Sequence, residues 1–214
     1  LKLVLDPDGR WLVLDLGVQH ATLSWAIVNG GRSRASEIVW RGVGKGDWDS
    51  ADPTGWFRGE LQSRGFPDAV GLLTACDLAR YEVETRSEGS LEVQCVTTLG
   101  MSNALSAGDP PGPLRSPAGT INTVCIVSRP LSEEAFVEAI ALAAEARTAA
   151  VLEAQVPSRR SDRLATGTGT DCIVIAAPDA PAEERYAGKH TLLGALLGAA
   201  VREATGRALV RGRS

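Results

Sequence analysis

The stretch Ala165-Thr-Gly-Thr-Gly-Thr-Asp-Cys-Ile-Val-Ile175 begins as a small-residue loop and ends as an apolar strand. Glycines at 167 and 169 free the backbone, and threonines at 166, 168 and 170 crowd it with hydroxyls. Cys172-Ile-Val-Ile175 is the short apolar run of a core strand, and Asp171 sits at its lip. Fourteen positions after Ile175, Lys189-His190-Thr191 opens the last strongly helical pattern. Loop, carboxylate, strand and then Lys-His at a helix start is one way to build a small-molecule site. A tight turn with Asp171 as its satisfied carboxylate is the other reading, and both stay open here.

An echo of this stretch lies upstream. Gly119-Thr-Ile-Asn-Thr-Val-Cys-Ile-Val127 resembles Gly167-Thr-Gly-Thr-Asp-Cys-Ile-Val174, and each is followed by a proline and then a helical pattern. A duplicated strand–helix unit places both Gly-Thr loops at one end of one sheet; chance similarity is the alternative. The first of the two helices is predicted over 132–153, with Ser132 as cap, Glu133 and Glu134 at its positive end and Val156-Pro157 as its stop. Phe136, Ile140, Ala144 and Val151 fall near one face, and Arg147 reads as solvent-facing. The second is predicted over 189–204, burying Leu192, Leu193, Leu196, Leu197, Ala200 and Val201. Gly194 and Gly198 cost propensity there and suggest close backbone packing, while the basic tail 207–214 reads as frayed.

The N-terminal half reads mostly as strands. Trp11-Leu-Val-Leu-Asp-Leu16 and Thr22-Leu-Ser-Trp-Ala-Ile-Val28 are separated by a polar break at Gln19-His20, where His20 is expected to be solvated or to serve a turn. Asn29-Gly-Gly31 is a turn signal, and Glu37-Ile-Val-Trp-Arg-Gly-Val43 is a third strand. A helical pattern runs from Asp49 to Gly65, with Asp52-Pro53 as its start signal and its helix near 53–64. Ala69-Val-Gly-Leu-Leu-Thr-Ala75 is another strand, closed by Asp77. Tyr81-Glu-Val-Glu-Thr-Arg86 and Leu91-Glu-Val-Gln-Cys-Val96 form a hairpin with one wet face. Gly108-Asp-Pro-Pro-Gly-Pro113 then opens a rigid surface loop reaching Ala118. The expected fold is α+β: one domain over 1–214, a mostly antiparallel or mixed sheet, and about three packed helices near 53–64, 132–153 and 189–204.

Composition excludes several classes. The net charge of −4 and the scattered basic residues argue against a nucleic-acid partner. The longest uncharged helical stretch, 191–201, is too short for a membrane span. Four separated cysteines without a C-x-x-C pair read as reduced thiols of a cytoplasmic protein. Two histidines exclude a multi-His zinc site but leave room for a carboxylate site for a hard divalent cation. There is no Walker A loop and no G-x-G-x-x-G between strand and helix. The chain opens on Leu1 rather than Met, without a signal-peptide pattern, so the natural chain is expected to begin further upstream.

Asp171 and His190 are the candidates for acid–base work. A helix start favours neutral imidazole at His190 and leaves backbone N–H groups free for an oxyanion or an amide. Lys189 beside it is disfavoured by the helix dipole, which marks the position as functional or merely exposed. Thr168 and Thr170 suit a ligand amide or their own loop, and Asn103 and Asn122 each offer a donor and an acceptor. Ser102 is a candidate nucleophile without a G-x-S-x-G elbow.

Taken together, the loops resemble the adenosylcobinamide amidohydrolase family of corrinoid salvage. The matching segments are Asn29-Gly-Gly31, Gly71-Leu-Leu-Thr-Ala-Cys-Asp77, Thr98-Leu-Gly-Met-Ser-Asn-Ala104 with Gly108-Asp-Pro110, and Gly119-Thr-Ile-Asn-Thr123. Glu145-Ala-Arg-Thr-Ala149, Ala165-Thr-Gly-Thr-Gly-Thr-Asp171 and Tyr186-Ala-Gly-Lys-His-Thr191 follow in the family's order. Ser24-Trp-Ala-Ile-Val28 departs from the small residue and proline expected before the Asn-Gly-Gly turn. The resemblance implies hydrolysis of the aminopropanol amide of adenosylcobinamide to adenosylcobyric acid and 1-amino-2-propanol, with no required cofactor. Their strand-end and helix-start placement makes Asp171 and His190 the expected pair activating the attacking water, with substrate contacts expected from Asn29, Thr98, Ser102, Asn103, Asn122, Thr168, Thr170 and Lys189. Some of the five tryptophans would wall the ring, most serving the core. The alternative is a corrinoid- or nucleoside-binding carrier or sensor that turns nothing over.

Overall fold

The computed structural model describes residues 1–44, 47, 52–112 and 119–212. The opening of the predicted helical pattern at residues 49–51, the loop from 113 to 118, Trp48 and the last two residues of the basic tail lie outside them. The architecture is α+β with a mixed sheet, as the sequence predicts.

The sheet order is β4 (Val70–Thr74), β3 (Gly31–Gly42), β2 (Trp11–Ser24), β10 (Cys172–Pro178), β8 (Ile121–Val127), β6 (Leu91–Leu99), β5 (Glu82–Glu88). β1 (Lys2–Leu5) pairs with the first half of β2. Among the described strands only the pairs β3–β4 and β8–β10 are parallel. The segments read as two strands around Gln19-His20 are mostly one strand, since β2 runs through the polar break. Its register against β3 shifts between Asp15 and His20, where Gly17 adopts φ 76°. His20 is buried there rather than solvated, its Nδ1 2.9 Å from the Val18 carbonyl.

That bulge bends the sheet over itself. Leu12, Leu14, Ile38, Trp40 and Leu72 from the β2–β3–β4 side pack with Val96, Val124 and Val174 from the other side. The Asn122 amide closes the curl by donating to the Leu73 carbonyl at 3.1 Å, tying β8 to β4. On the opposite face Val93, Cys95, Cys125, Ile173 and Ile175 lie under α2 (Glu133–Glu153) and α3 (Leu192–Gly212). The alanines of α2 let it sit close: Ala135, Ala139, Ala143, Ala146 and Ala150 are all buried. α1 (Pro53–Ser63), capped by Asp52, buries Phe57 and Leu61 against Trp11, Val28 and Val39. Among the described residues no helix is long and apolar enough to cross a membrane.

The echo in the sequence corresponds to a structural pair. β8 leads to α2, β10 leads to α3, and the two parallel strands are neighbours, so both Gly-Thr loops sit at one end of the sheet. α3 differs from expectation at both ends. Its cap is Thr191, whose hydroxyl accepts from the Gly194 N–H at 2.9 Å, so Lys189 and His190 belong to the preceding turn. It also continues to Gly212, because Arg207 bonds Glu84 at 2.7 Å and the Val83 carbonyl at 2.8 Å, and Arg211 reaches Glu82 at 2.9 Å. Gly194 does permit a close approach, since a Cβ there would lie 2.2 Å from the Gly188 carbonyl oxygen. Gly198 does not: its nearest neighbour would be Leu142, at 3.9 Å.

Candidate active site

Where β8 and β10 begin, β6 and β4 end. The loops at that sheet end are rich in hydroxyls and amides, and they are joined by a small ladder, β7 (Ala104–Leu105) with β9 (Gly167–Thr168). Asp171 organises them. Its carboxylate accepts from the Ile121 N–H at 3.0 Å, from the Thr168 N–H at 2.9 Å and from the Thr168 hydroxyl. Arg147 faces it at 3.3 Å. The two side chains are only 9% and 11% exposed, so Arg147 is the inward counter-ion of this loop rather than a solvent-facing residue. The Asp171 carbonyl also accepts from the Trp25 indole. Gly167 is required because a Cβ there would lie 2.2 Å from the carboxylate.

The hydroxyls bind the two loops to each other. Thr170 Oγ1 lies 2.6 Å from Thr120 Oγ1 and 3.4 Å from the Gly119 carbonyl. Asn103 accepts at its backbone carbonyl from the Gly169 N–H at 3.2 Å, while its Nδ2, buried, has no hydrogen-bond partner among the described residues. Asn122 is buried in its tie to β4. Thr98 is 1% exposed, and its hydroxyl makes no hydrogen bond of normal geometry.

Beside these loops opens a cavity of about 680 Å3, within the usual range of small-molecule sites. Leu99, Met101, Val156 and Leu209 give it apolar wall, and Cys76, Asp77, Ser102 and Ser158 give it polar groups. Arg80 and Arg159 are its cations. Gly100 and Gly119 meet back to back, and a Cβ on Gly119 would come within 2.6 Å of both Ser102 N and Oγ. Burial pushes the Cys76 thiol up, against hydrogen bonds from Thr74 and Thr98. Behind the lining residue Ser158, Asp109 accepts from Ser106 N at 2.7 Å, from Ser161 and from Ser158; these hydroxyls hold its carboxyl below the usual range.

The structure thus gathers Thr98, Ser102, Asn103, Asn122, Thr168, Thr170 and Asp171 at one sheet end, with Ser102 alone of them lining the cavity. It does not gather the others. Asn29 (φ 53°) donates to the Pro67 and Ala69 carbonyls at 3.2 and 2.9 Å, fixing the β2–β3 turn to the start of β4. Lys189 pairs with Glu145 on the surface. His190 is exposed, and no hydrogen bond or ion pair among the described residues joins it to Asp171. The reason is topological: α3 carries Leu209 to Ile121 beside Asp171, and about 25 Å of helix separates Leu209 from Leu192. The sequence reading passed over Cys76 and Asp77 as site residues. The signal was their place directly after a strand, in a turn rich in small residues.

A second, more open groove of about 1040 Å3 runs between α2 and α3. Its walls are Ala and Gly, and its rim is already paired as Lys189–Glu145, Arg202–Glu153 and Arg207–Glu84. The sheet-end cavity is the better candidate because amide-competent loops meet there. Among the described residues no three of His, Cys, Asp and Glu converge as a metal-binding group.

Comparison with known proteins agrees with the motif resemblance. The family model described as adenosylcobinamide amidohydrolase matches residues 6–214. An adenosylcobinamide amidohydrolase of Halobacterium salinarum is 30% identical over 208 residues, covering 92% of this chain and 79% of that protein. One from Methanosarcina mazei is 31% identical over 153 residues, covering 70% of this chain and 66% of that protein. An uncharacterized protein of Methanocaldococcus jannaschii is 35% identical over 94 residues, 44% of this chain and 36% of that protein.

Proposed function

The chain belongs to the adenosylcobinamide amidohydrolase family, and on that premise we propose that it cleaves the amide joining the corrin propionyl carbon to aminopropanol. Water is consumed, and adenosylcobyric acid and 1-amino-2-propanol leave. The reaction returns scavenged cobinamide to cobalamin assembly in the cytoplasm, a compartment in keeping with four free cysteines.

One observation carries this reading: at a single sheet end, amide- and hydroxyl-bearing loops surround a cavity with apolar walls and few charges. A neutral, amide-fringed corrinoid asks for that chemistry. The cavity takes the aminopropanol arm, and the corrin ring rests at its mouth. Ser102, with its own backbone N–H, holds the carbonyl oxygen as it becomes an oxyanion, the Gly100 N–H being already given to the Thr120 carbonyl at 3.0 Å. Asn103 supplies a buried donor, Nδ2, that has no hydrogen-bond partner among the described residues. Asp171 is assigned to the loop scaffold, because its acceptor positions are engaged. The reading needs no metal.

The test is incubation of the protein with adenosylcobinamide, with and without chelator, followed by mass spectrometry of the corrinoid. Adenosylcobyric acid and free aminopropanol in both lanes are expected. Loss of turnover in the chelator lane would overturn the metal-free mechanism. Binding without product would move the assignment to a carrier or sensor.

A further inference from the structure

We propose that Asp77 is the catalytic base of the hydrolysis. The inference rests on the amidohydrolase reading and assigns a residue within its cavity. Asp77 is the sole carboxylate among the described residues lining that cavity. It follows β4 directly, in the turn Thr74-Ala-Cys-Asp77.

Its geometry suits the work. Oδ1 accepts from the Ala79 N–H at 2.9 Å and caps the short 3-10 turn Leu78–Arg80, which fixes the side chain in direction. Oδ2 accepts no hydrogen bond from the described residues, and the residue is exposed to the cavity. One oxygen held and one presented is what a positioned base requires, since the held oxygen removes rotational freedom. Asp171 presents no such oxygen.

Ser102 and Gly100 line the same cavity, with Gly100 packed between Cys76 and Gly119, and the carbonyl oxygen is placed at Ser102. Arg80 and Arg159 line the same space and favour the charge that develops there.

The step balances without a co-reactant. Asp77 Oδ2 takes one proton from water as the water oxygen bonds the amide carbon. The C–N bond then breaks, its electron pair goes to nitrogen, and the proton held on Asp77 passes to that nitrogen. The products are a carboxylic acid and an amine, and Asp77 is again a carboxylate.

The experiment compares wild type with Asp77→Asn and Asp77→Ser on adenosylcobinamide. Both replacements keep an oxygen for the Ala79 N–H, so the turn stays capped and the melting midpoint is expected to stay put. Expected is a fall in kcat of roughly 100- to 10,000-fold, with KM within a few-fold and the acid limb of the kcat–pH profile abolished. Folded variants with kcat within tenfold of wild type, or with the acid limb retained, would overturn the assignment. If wild type itself yields no adenosylcobyric acid, the amidohydrolase reading fails first, and that result is separate from the variants.

Discussion

Two strand-end carboxylates face opposite fates at the same end of this sheet. Asp171 is ringed by two backbone N–H groups, a hydroxyl and a guanidinium. Asp77 lines a cavity and makes one capping bond, its other oxygen accepting none from the described residues. The segment richest in hydroxyls is therefore the one that satisfies itself, and the plainer turn is the one left with capacity to act. A carboxylate whose lone pairs are filled by fixed donors is a joint. One with an unfilled position in a cavity is a reagent.

The sharpest way to break this contrast is Asp171→Ala. It strands Arg147 and the Ile121 and Thr168 donors, and is expected to cost roughly 3–5 kcal/mol. In a chain of this length that lowers the melting midpoint by about 10 °C. Asp77→Ala, which loses only a cap, is expected to cost about 1 kcal/mol. Chemical denaturation of both variants measures the difference, and equal losses would erase the distinction.

A middle-sized effect is expected at Gly119→Ala. The new methyl meets the Gly100 carbonyl oxygen at 2.4 Å and Ser102 at 2.6 Å, both on backbone that carries the cavity wall. We expect a loss of roughly 1–3 kcal/mol and an accompanying fall in activity, read from melting and turnover together. Unchanged turnover would remove Ser102 from the oxyanion wall.

The smallest effect concerns thiols. Burial pushes Cys172 up to about 12 and raises Cys76, so both react slowly with a thiol reagent at neutral pH. Cys76 alone of the four is not fully buried and is expected to label first. Its rate should rise about tenfold per pH unit while the thiolate is the minor species. Bound adenosylcobinamide is expected to slow it further. Labelling indifferent to substrate would separate the cavity from the substrate site.

Much of the fold was legible because local signals and tertiary packing agree in it. Ser132 and Asp52 cap their helices as read, and the echo of Gly119 in Gly167 marks two adjacent parallel strands. The misses have physical causes. His20 looked like a break because a bulge interrupts alternation without ending a strand. The basic tail looked frayed because the glutamates that hold Arg207 lie more than a hundred residues away. The site was less legible. Sequence puts Asp171 and His190 each at an element boundary but does not say which end of the sheet each boundary occupies, and the direction of α3 separates them. Arg147 looked solvent-facing because its partner is set by the register of β10 against α2, which local spacing does not encode.

The long strand β2 has a consequence for the nascent chain. Its second half, from His20 to Ser24, pairs with β10, whose residues leave the ribosome some 150 positions later. Until then one hydrogen-bonding edge of this segment has no native strand beside it. At usual synthesis speeds, roughly 5–20 residues per second, that interval lasts on the order of ten seconds. An open edge flanked by apolar residues is the kind of surface that pairs with other chains. The protein is therefore most exposed to aggregation while it is being made, and a stop codon shortly before Cys172 would leave that edge open permanently.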